Sequence, residues 1–242
     1  MTWVVLPCKD FVRAKSRLSG VLAPHERRSL TQAMVEDVLW VVSAHPRITG
    51  VMLVSDDPCA AMLAAKYQAL FLDERQLELR GLNEAVSAAC ADLSSRGAES
   101  ILVLHGDVPT LTAREIDKIL DVGEAHFDDV ILVPDEAEMG TNGMWFAAGN
   151  QPQFYFGVNS FELHRQYCHQ QGQVVRAIDL PGLGLDVDEP VDLHAVLLRL
   201  EEDDVLAPHT RELVFGTGIR ARMSVINEVE QNSLIDEAMG TN

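Results

Sequence analysis

From Thr2 to Pro134, short apolar runs alternate with longer stretches of helical spacing, and the runs are apolar at consecutive positions. A strand that is apolar on both faces has to be covered on both. That restricts the chain to an α/β architecture, a mainly parallel central sheet flanked by helices. The spacing predicts strands over Thr2–Leu6, Gly50–Ser55, Ala69–Leu72, Ser100–His105 and Asp129–Pro134. Between them it predicts helices over Pro24–Ala44, a short stretch through Ala65, Gly81–Ser95 and Thr112–Glu124. In the first helix Leu30, Met34, Val38 and Val41 share one face, and Pro24 suits the first turn. After Pro134 the rhythm changes. Glu138–Asn142 reads as a loop, Gly143–Ala148, Phe154–Phe156 and Val174–Ile178 as strands, Ser160–Gln171 and Pro190–Glu202 as helices. Residues 1–204 are assigned to one domain. Residues 205–242 are read as a C-terminal extension with one or two helices, packed on the domain or on a partner subunit of a possible homodimer.

In a parallel sheet of this kind ligands sit beyond the carboxyl ends of the strands. Two candidate elements lie at such ends. After the first strand Lys9, Arg13, Lys15 and Arg17 crowd into one short loop, although the chain has only 19 basic residues against 37 acidic ones and a net charge of -18. Such an acidic surface excludes duplex nucleic acid and anionic membranes as partners, so the basic loop fits a pocket for a compact polyanion such as a nucleoside triphosphate. The alternative for the loop alone is a solvated run of charge. It has neither the P-loop pattern nor a dinucleotide fingerprint, so phosphates would be gripped by side-chain cations rather than by exposed amides. After the fourth strand comes Gly106-Asp107-Val108-Pro109, where Asp107 is either a ligand for a hard cation or a turn carboxylate.

A third element is Gly184-Leu185-Asp186-Val187-Asp188-Glu189-Pro190. In an extended segment residues two apart face the same side, so Asp186 and Asp188 converge while Leu185 and Val187 turn inward. Two such carboxylates call for a divalent cation between them, or they belong to an acidic turn capping the helix that starts at Pro190. Cys8, Cys59, Cys90 and Cys168 are scattered, as are the eight histidines, so neither a zinc site nor a disulfide framework is expected. No apolar run reaches spanning length and Thr2–Pro7 is too short for a signal sequence, so a soluble, cytoplasmic protein is expected.

Together the three elements define a reaction class: a cationic loop for a triphosphate, aspartates for Mg²⁺, and an acceptor that brings its own nucleophile to the α-phosphorus, already an anion if the acceptor is a phosphate monoester. An anionic nucleophile needs no general base, in keeping with the lack of any Ser/His/Asp or Cys/His arrangement.

The residues also match a family in order. Pro7-x-Lys9, Ala14-Lys15-Ser16-Arg17-Leu18, Val54-Ser55-x-Asp57, Gly81-Leu82-Asn83-x-Ala85 and Gly106-Asp107-Val108-Pro109 come first. Gly140-Thr141-Asn142, Phe156-Gly157-x-x-Ser160-Phe161-x-x-His164 and Gly184-Leu185-Asp186-Val187-Asp188 follow. The chain thus resembles, over about residues 2–200, the 2-phospho-L-lactate guanylyltransferase family of coenzyme F-420 biosynthesis. The resemblance implies a GT-A-like nucleotidyltransferase fold. It implies transfer of GMP from GTP to 2-phospholactate, phosphoenolpyruvate or 3-phosphoglycerate, with the product passed to a downstream transferase. It implies catalytic Lys15, Asp107, Asp186 and Asp188, with the three aspartates holding Mg²⁺. Lys9, Arg13, Lys15, Arg17 and Asn83 would bind the nucleotide, and Thr141, Gly157 and Ser160 the carboxylate of the phospho-acid. For the last three the alternatives are an ordinary turn at 140–142 and a helix cap at Ser160. Trp145 is expected near the acceptor, setting its size. Competing readings are a relative that uses CTP with a sugar-phosphate or molybdopterin acceptor, and a non-catalytic nucleotide-binding regulator.

Overall fold

The computed structural model describes residues 1–8, 11, 14–77 and 81–224. Among these residues seven strands form one sheet: β1 (Thr2–Pro7), β2 (Ile48–Ser55), β3 (Leu70–Asp73), β4 (Ser100–Leu104), β5 (Val130–Pro134), β6 (Thr141–Ala147) and β7 (Val175–Ala177). Their order across the sheet is β3-β2-β1-β4-β6-β5-β7. β6 alone runs antiparallel to its two neighbours, β4 and β5, while the other pairings are parallel. The helices are α1 (Pro24–Ala44), α2 (Pro58–Lys66), α3 (Leu82–Ser95), α4 (Ala113–Ala125), α5 (Ser160–Gln170), α6 (Pro190–Glu202) and α7 (Pro208–Gly216).

The consecutive apolar positions of the strands divide between two faces, because side chains alternate along a strand. Val4, Leu6, Leu102, Leu104, Ile131 and Val133 pack with α1, α2 and α4, whereas Val5, Ile101, Val103, Val130, Leu132 and Phe146 pack with α3 and α5. A third cluster joins Leu18 and Leu30 to Val187, Leu197 and, from the C-terminal segment, Val214 and Ile219. α7 lies on α1, and its first turn is held by the buried Asp37. That carboxylate accepts from the backbone N–H of His209 and of Thr210, each at 2.8 Å. Residues 219–224 are helical as well.

Two sequence expectations are corrected. The stretch Phe154–Phe156 is not a strand: its backbone is tied to side chains instead, with Phe156 N–H donating to Asn83 Oδ1 at 2.7 Å and Tyr155 N–H to His164 Nε2 at 2.8 Å. Conversely, Thr141 and Asn142 are not turn residues but open β6. No helix among the described residues is long and apolar enough to cross a membrane.

Gly123 shows how closely α4 sits on the sheet. A Cβ there would lie 2.6 Å from Trp145, itself only 1% exposed. In a free helix Ala would be better than Gly by about 1 kcal/mol, but overpacking a buried ring costs roughly 1–3 kcal/mol. We expect Gly123→Ala to lower stability in urea unfolding; a more stable variant would show that the α4–β6 contact yields more readily than this packing implies.

Candidate active site

The site forms at the carboxyl ends of β1 and β4, and the reversal of β6 is what completes it. Because β6 runs against its neighbours, its first residues arrive at the rim where β4 ends, with His105 N–H donating to the Asn142 carbonyl at 3.2 Å. The segment bearing Asp186 and Asp188 is stitched to the same rim by Val187 N–H, which donates to the Asp107 carbonyl at 3.0 Å. Leu185 and Val187 are buried and Asp188 is exposed, the alternation expected of an extended segment. Asp107, Asp186 and Asp188 are thereby gathered at one place.

Lys15 reaches across to them. Its Nζ lies 2.6 Å from Asp107 Oδ2 and 2.8 Å from Asp188 Oδ1, and its side chain is only 6% exposed. The residue has φ of 57°, a left-handed conformation that a lysine adopts only at a cost of order 1 kcal/mol, offset here by the charge pairs. Burial opposes the ammonium charge, but the two carboxylates outweigh it and raise the Lys15 pKa. Burial likewise pushes Asp107 up, yet Lys15 and His105 hold its carboxyl at about 2. Among the described residues no ammonium pairs with Asp186. Burial pushes it up to about 6 against the hydrogen bond from Asn142 Nδ2 at 3.0 Å, and the charges of Asp107 and Asp188 add to the rise. One carboxyl of the three is thus left uncompensated.

Among the described residues no three His, Cys, Asp or Glu side chains are gathered as a metal cage, since the Lys15 ammonium stands between Asp107 and Asp188. The donor set nevertheless fits a hard dication: it consists of carboxylate oxygens, and the raised Asp186 marks negative charge still to be met.

Two hollows meet at this point. One, of about 270 Å³, is lined by Cys8, Phe11, Lys15, Ser16 and Val35. The other, of about 560 Å³, is lined by Arg17, Thr141, Gly157, Ser160 and Asp186. Leu82, His105, Asp107 and Asp188 border both. Lys9 and Arg13 lie outside the described residues. Arg17 pairs with Glu189 at 3.2 Å, both exposed, an ion pair that is easily exchanged for a ligand. Asn83 does not line either hollow; its amide grips Phe156 at both ends, donating from Nδ2 to the carbonyl at 3.3 Å and accepting the N–H. Ser160 is the first residue of α5, with Asn159 in the cap position, so its hydroxyl is not the helix cap. Gly157 has φ of 135°, open to glycine, and nothing stands within 4 Å of where a Cβ would be. Trp145 is a correction: it packs between Gly123 and Phe127 under α4 and borders neither hollow. Cys8 is buried, and burial with Asp107 nearby pushes its thiol far up, so it is a small apolar wall and not a nucleophile.

Several side chains that support the site carried no role in the sequence analysis. Asp57 accepts from the N–H of Phe11 at 2.9 Å and of Cys59 at 2.8 Å, tying the basic loop to the start of α2. Asp135 accepts from the N–H groups of Met139 and Gly140, each at 2.8 Å, and shapes the turn before Thr141. The fully buried His164 stands 3.0 Å from Thr141 Oγ1 through its Nδ1. An acidic residue one or two positions past a strand was the available signal for Asp57 and Asp135.

With that geometry in hand, the kinship of the chain can be read. Residues 2–224 match the family described as guanylyl transferase CofC like. The chain belongs to that family. It is 33% identical to the phosphoenolpyruvate guanylyltransferase of Conexibacter woesei, over 88% of this chain and 95% of the relative. It is also 33% identical to the 2-phospho-L-lactate guanylyltransferase of Halorubrum lacusprofundi, over 79% and 82%. The 3-phospho-D-glycerate guanylyltransferase of Colwellia psychrerythraea is 28% identical over 88% and 96%. Among solved structures, a nucleotide-diphospho-sugar transferase from Desulfovibrio desulfuricans superposes with a TM-score of 0.75 at 15% identity, covering 92% of this chain and 96% of that one. CMP:2-keto-3-deoxy-manno-octonic acid synthetase gives 0.57 at 15% identity, over 84% and 99%. These structures share the fold. The nucleotidyltransferase fold and the enzymatic class expected from the sequence both hold.

His164 has a measurable effect on acid stability. Burial, with His105 adding to it, lowers its pKa from 6.5 to about 4. Between those values the unfolded chain binds a proton that the folded chain refuses, so stability falls as pH drops through this window. The loss amounts to roughly 2 kcal/mol between about pH 7 and about pH 5. His164→Asn removes the titrating group, and we expect the difference in urea midpoint between those two pH values to shrink. An unchanged difference would show that the folded and unfolded chains bind the His164 proton equally well.

Proposed function

We propose that this guanylyltransferase transfers GMP from GTP to a small phosphomonoester bearing a carboxylate, with release of pyrophosphate. The observation that carries this reading is the meeting of two hollows at Asp107 and Asp188, one bordered by Lys15 and the other by Thr141, Gly157 and Ser160. A group-transfer enzyme needs two substrates placed end to end across one junction of charge.

In this reading the triphosphate lies along the loop with Lys15, assisted by Lys9 and Arg13, and Arg17, which lines the larger hollow, meets it where the two hollows join. The phospho-acid occupies the larger hollow, its carboxylate on Thr141, Gly157 and Ser160 and its phosphate toward the junction. A phosphate oxygen attacks the α-phosphorus in line; the new bond joins the two phosphates, the bond to the β-phosphate breaks, and pyrophosphate departs. The attacking oxygen is already an anion, so the protein supplies alignment and countercharge and no base. Asp107, Asp186 and Asp188 would hold Mg²⁺, which supplies charge neutralisation at the phosphates. Lys15 keeps Asp107 and Asp188 together in the free protein and turns its charge to the phosphates when they arrive. Asn83 acts through Phe156, fixing the backbone that leads into Gly157. The named activities of the relatives support phosphoenolpyruvate, 2-phospholactate and 3-phosphoglycerate as the acceptors to try. On this reading the product enters coenzyme F-420 biosynthesis or a related route.

Pyrophosphate release measured over a matrix of GTP, CTP, ATP and UTP against these three phospho-acids tests the proposal. We expect turnover with GTP and one or more of the acceptors, none without an acceptor, and dependence on a divalent cation. Turnover with CTP alone, or with no phospho-acid, would overturn it. We further expect Asp188→Asn to reduce kcat by about 10²- to 10³-fold. Because the Asp188 side chain is half exposed, its unfolding midpoint should change little. Near-wild-type turnover in that variant would remove Asp188 from the site.

A further inference from the structure

Behind the wall of the larger hollow runs a hydrogen-bond chain that reaches it at Thr141, and its direction is set by a backbone amide. Tyr155 N–H donates to His164 Nε2 at 2.8 Å, and an amide N–H can only donate. Nε2 therefore carries no proton, and the single proton of the neutral ring sits on Nδ1. Nδ1 faces Thr141 Oγ1 at 3.0 Å. It must donate to that oxygen, because a ring accepting at both nitrogens would have to be an anion. A doubly protonated ring would press Nε2–H against the Tyr155 N–H; the burial that lowers the His164 pKa to about 4 also removes that form. The Thr141 hydroxyl, with His164 occupying a lone pair, keeps its own proton for something else. Thr141 lines the hollow together with Gly157 and Ser160.

We propose that His164 is a positioning residue that makes the Thr141 hydroxyl a donor toward the bound ligand, so that the hollow selects a carboxylate oxygen over a hydroxyl or amide N–H. The proposal rests on the reading that this hollow receives the phospho-acid. The chain is Tyr155 N–H to His164 to Thr141 to carboxylate, each link donating forward, and it is reversible at no link because its first member is main chain. A carboxylate facing a hydroxyl proton gains a charge-assisted hydrogen bond, whereas a hydroxyl free to turn offers a lone pair for part of the time. Ring contacts hold the imidazole in place: its centroid is 5.0 Å from that of Phe156, edge to face, and 6.2 Å from that of Tyr155.

The test combines kinetics with a direct reading of the ring. His164→Gln moves the polar end away from Thr141, whereas His164→Asn keeps an N–H₂ donor close to the position of Nδ1. We expect His164→Gln to raise KM for the phospho-acid by about tenfold while leaving KM for GTP unchanged, and His164→Asn to stay within about twofold of wild type. In a Thr141→Val background, His164→Gln should add nothing to the KM already raised by the loss of the hydroxyl. An equal rise in that background, or equal defects in the Asn and Gln variants, would reduce His164 to a structural residue and overturn the proposal. The tautomer itself is read on the wild-type protein, without turnover, from a long-range ¹H–¹⁵N histidine spectrum between about pH 6 and about pH 8. A proton on Nδ1 is expected; a proton on Nε2 overturns the proposal whether or not the enzyme is active. A protein with the Nδ1 tautomer that turns over no phospho-acid would contradict the function reading and, with it, the selection of a carboxylate.

Discussion

Three carboxylates brought to one end of a sheet repel one another, and the Lys15 ammonium is what lets this end of the protein hold together. Its contacts to Asp107 and Asp188 join parts of the chain 92 and 173 residues away. Removing water from such a set is expensive, and a buried pair returns that cost only with close geometry and further hydrogen bonds. The site supplies both: the ammonium sits within hydrogen-bonding distance of two acids, and Asn142 donates to the third. In the proposed reaction that positive charge is the one available to turn toward incoming phosphates.

The reversed strand β6 gives the site its second half. Were β6 parallel, Thr141 and Asn142 would open at the opposite end of the sheet from Asp107. Because it is antiparallel, one strand delivers the Thr141 hydroxyl to the larger hollow, an amide to Asp186 and a carbonyl to His105 at adjacent positions. The segment before α5 cannot be a strand for a related reason. Its N–H groups are taken by Asn83 and His164, and that diversion carries the chain to Gly157 at the mouth of the hollow.

Much of the frame was legible in the sequence, and the reasons are local. Pro24 and Pro190 mark first turns that a helix accepts without losing a bond, so α1 and α6 have the predicted limits. Doubly apolar runs identified β1, β2, β4 and β5 because both of their faces are covered. Alternation at 185–188 foretold which side chains turn inward. What stayed hidden depends on contacts between distant parts of the chain. Gly140-Thr141-Asn142 has the composition of a turn, and only pairing with β4 and β5 makes a strand of its end. Trp145 lies four residues from Thr141, yet a register shift against β5 falls between the two, and the bare Gly123 leaves room for its ring under α4. His164 stood inside a recognised motif, but its role depends on Tyr155 N–H, which no side-chain pattern reports.

Lys15 and the aspartates are proposed as the junction between a hollow for the nucleotide and a hollow for the acceptor. A crystal structure with a non-hydrolysable GTP analogue, a divalent cation and a phospho-acid tests it most directly. The triphosphate is expected against Lys15 and Ser16, the carboxylate against Thr141 and Ser160, and the Lys15 ammonium moved from Asp107 and Asp188 onto phosphate oxygens. A triphosphate bound away from Lys15, or a Lys15 still bridging Asp107 and Asp188 with both substrates in place, would contradict it.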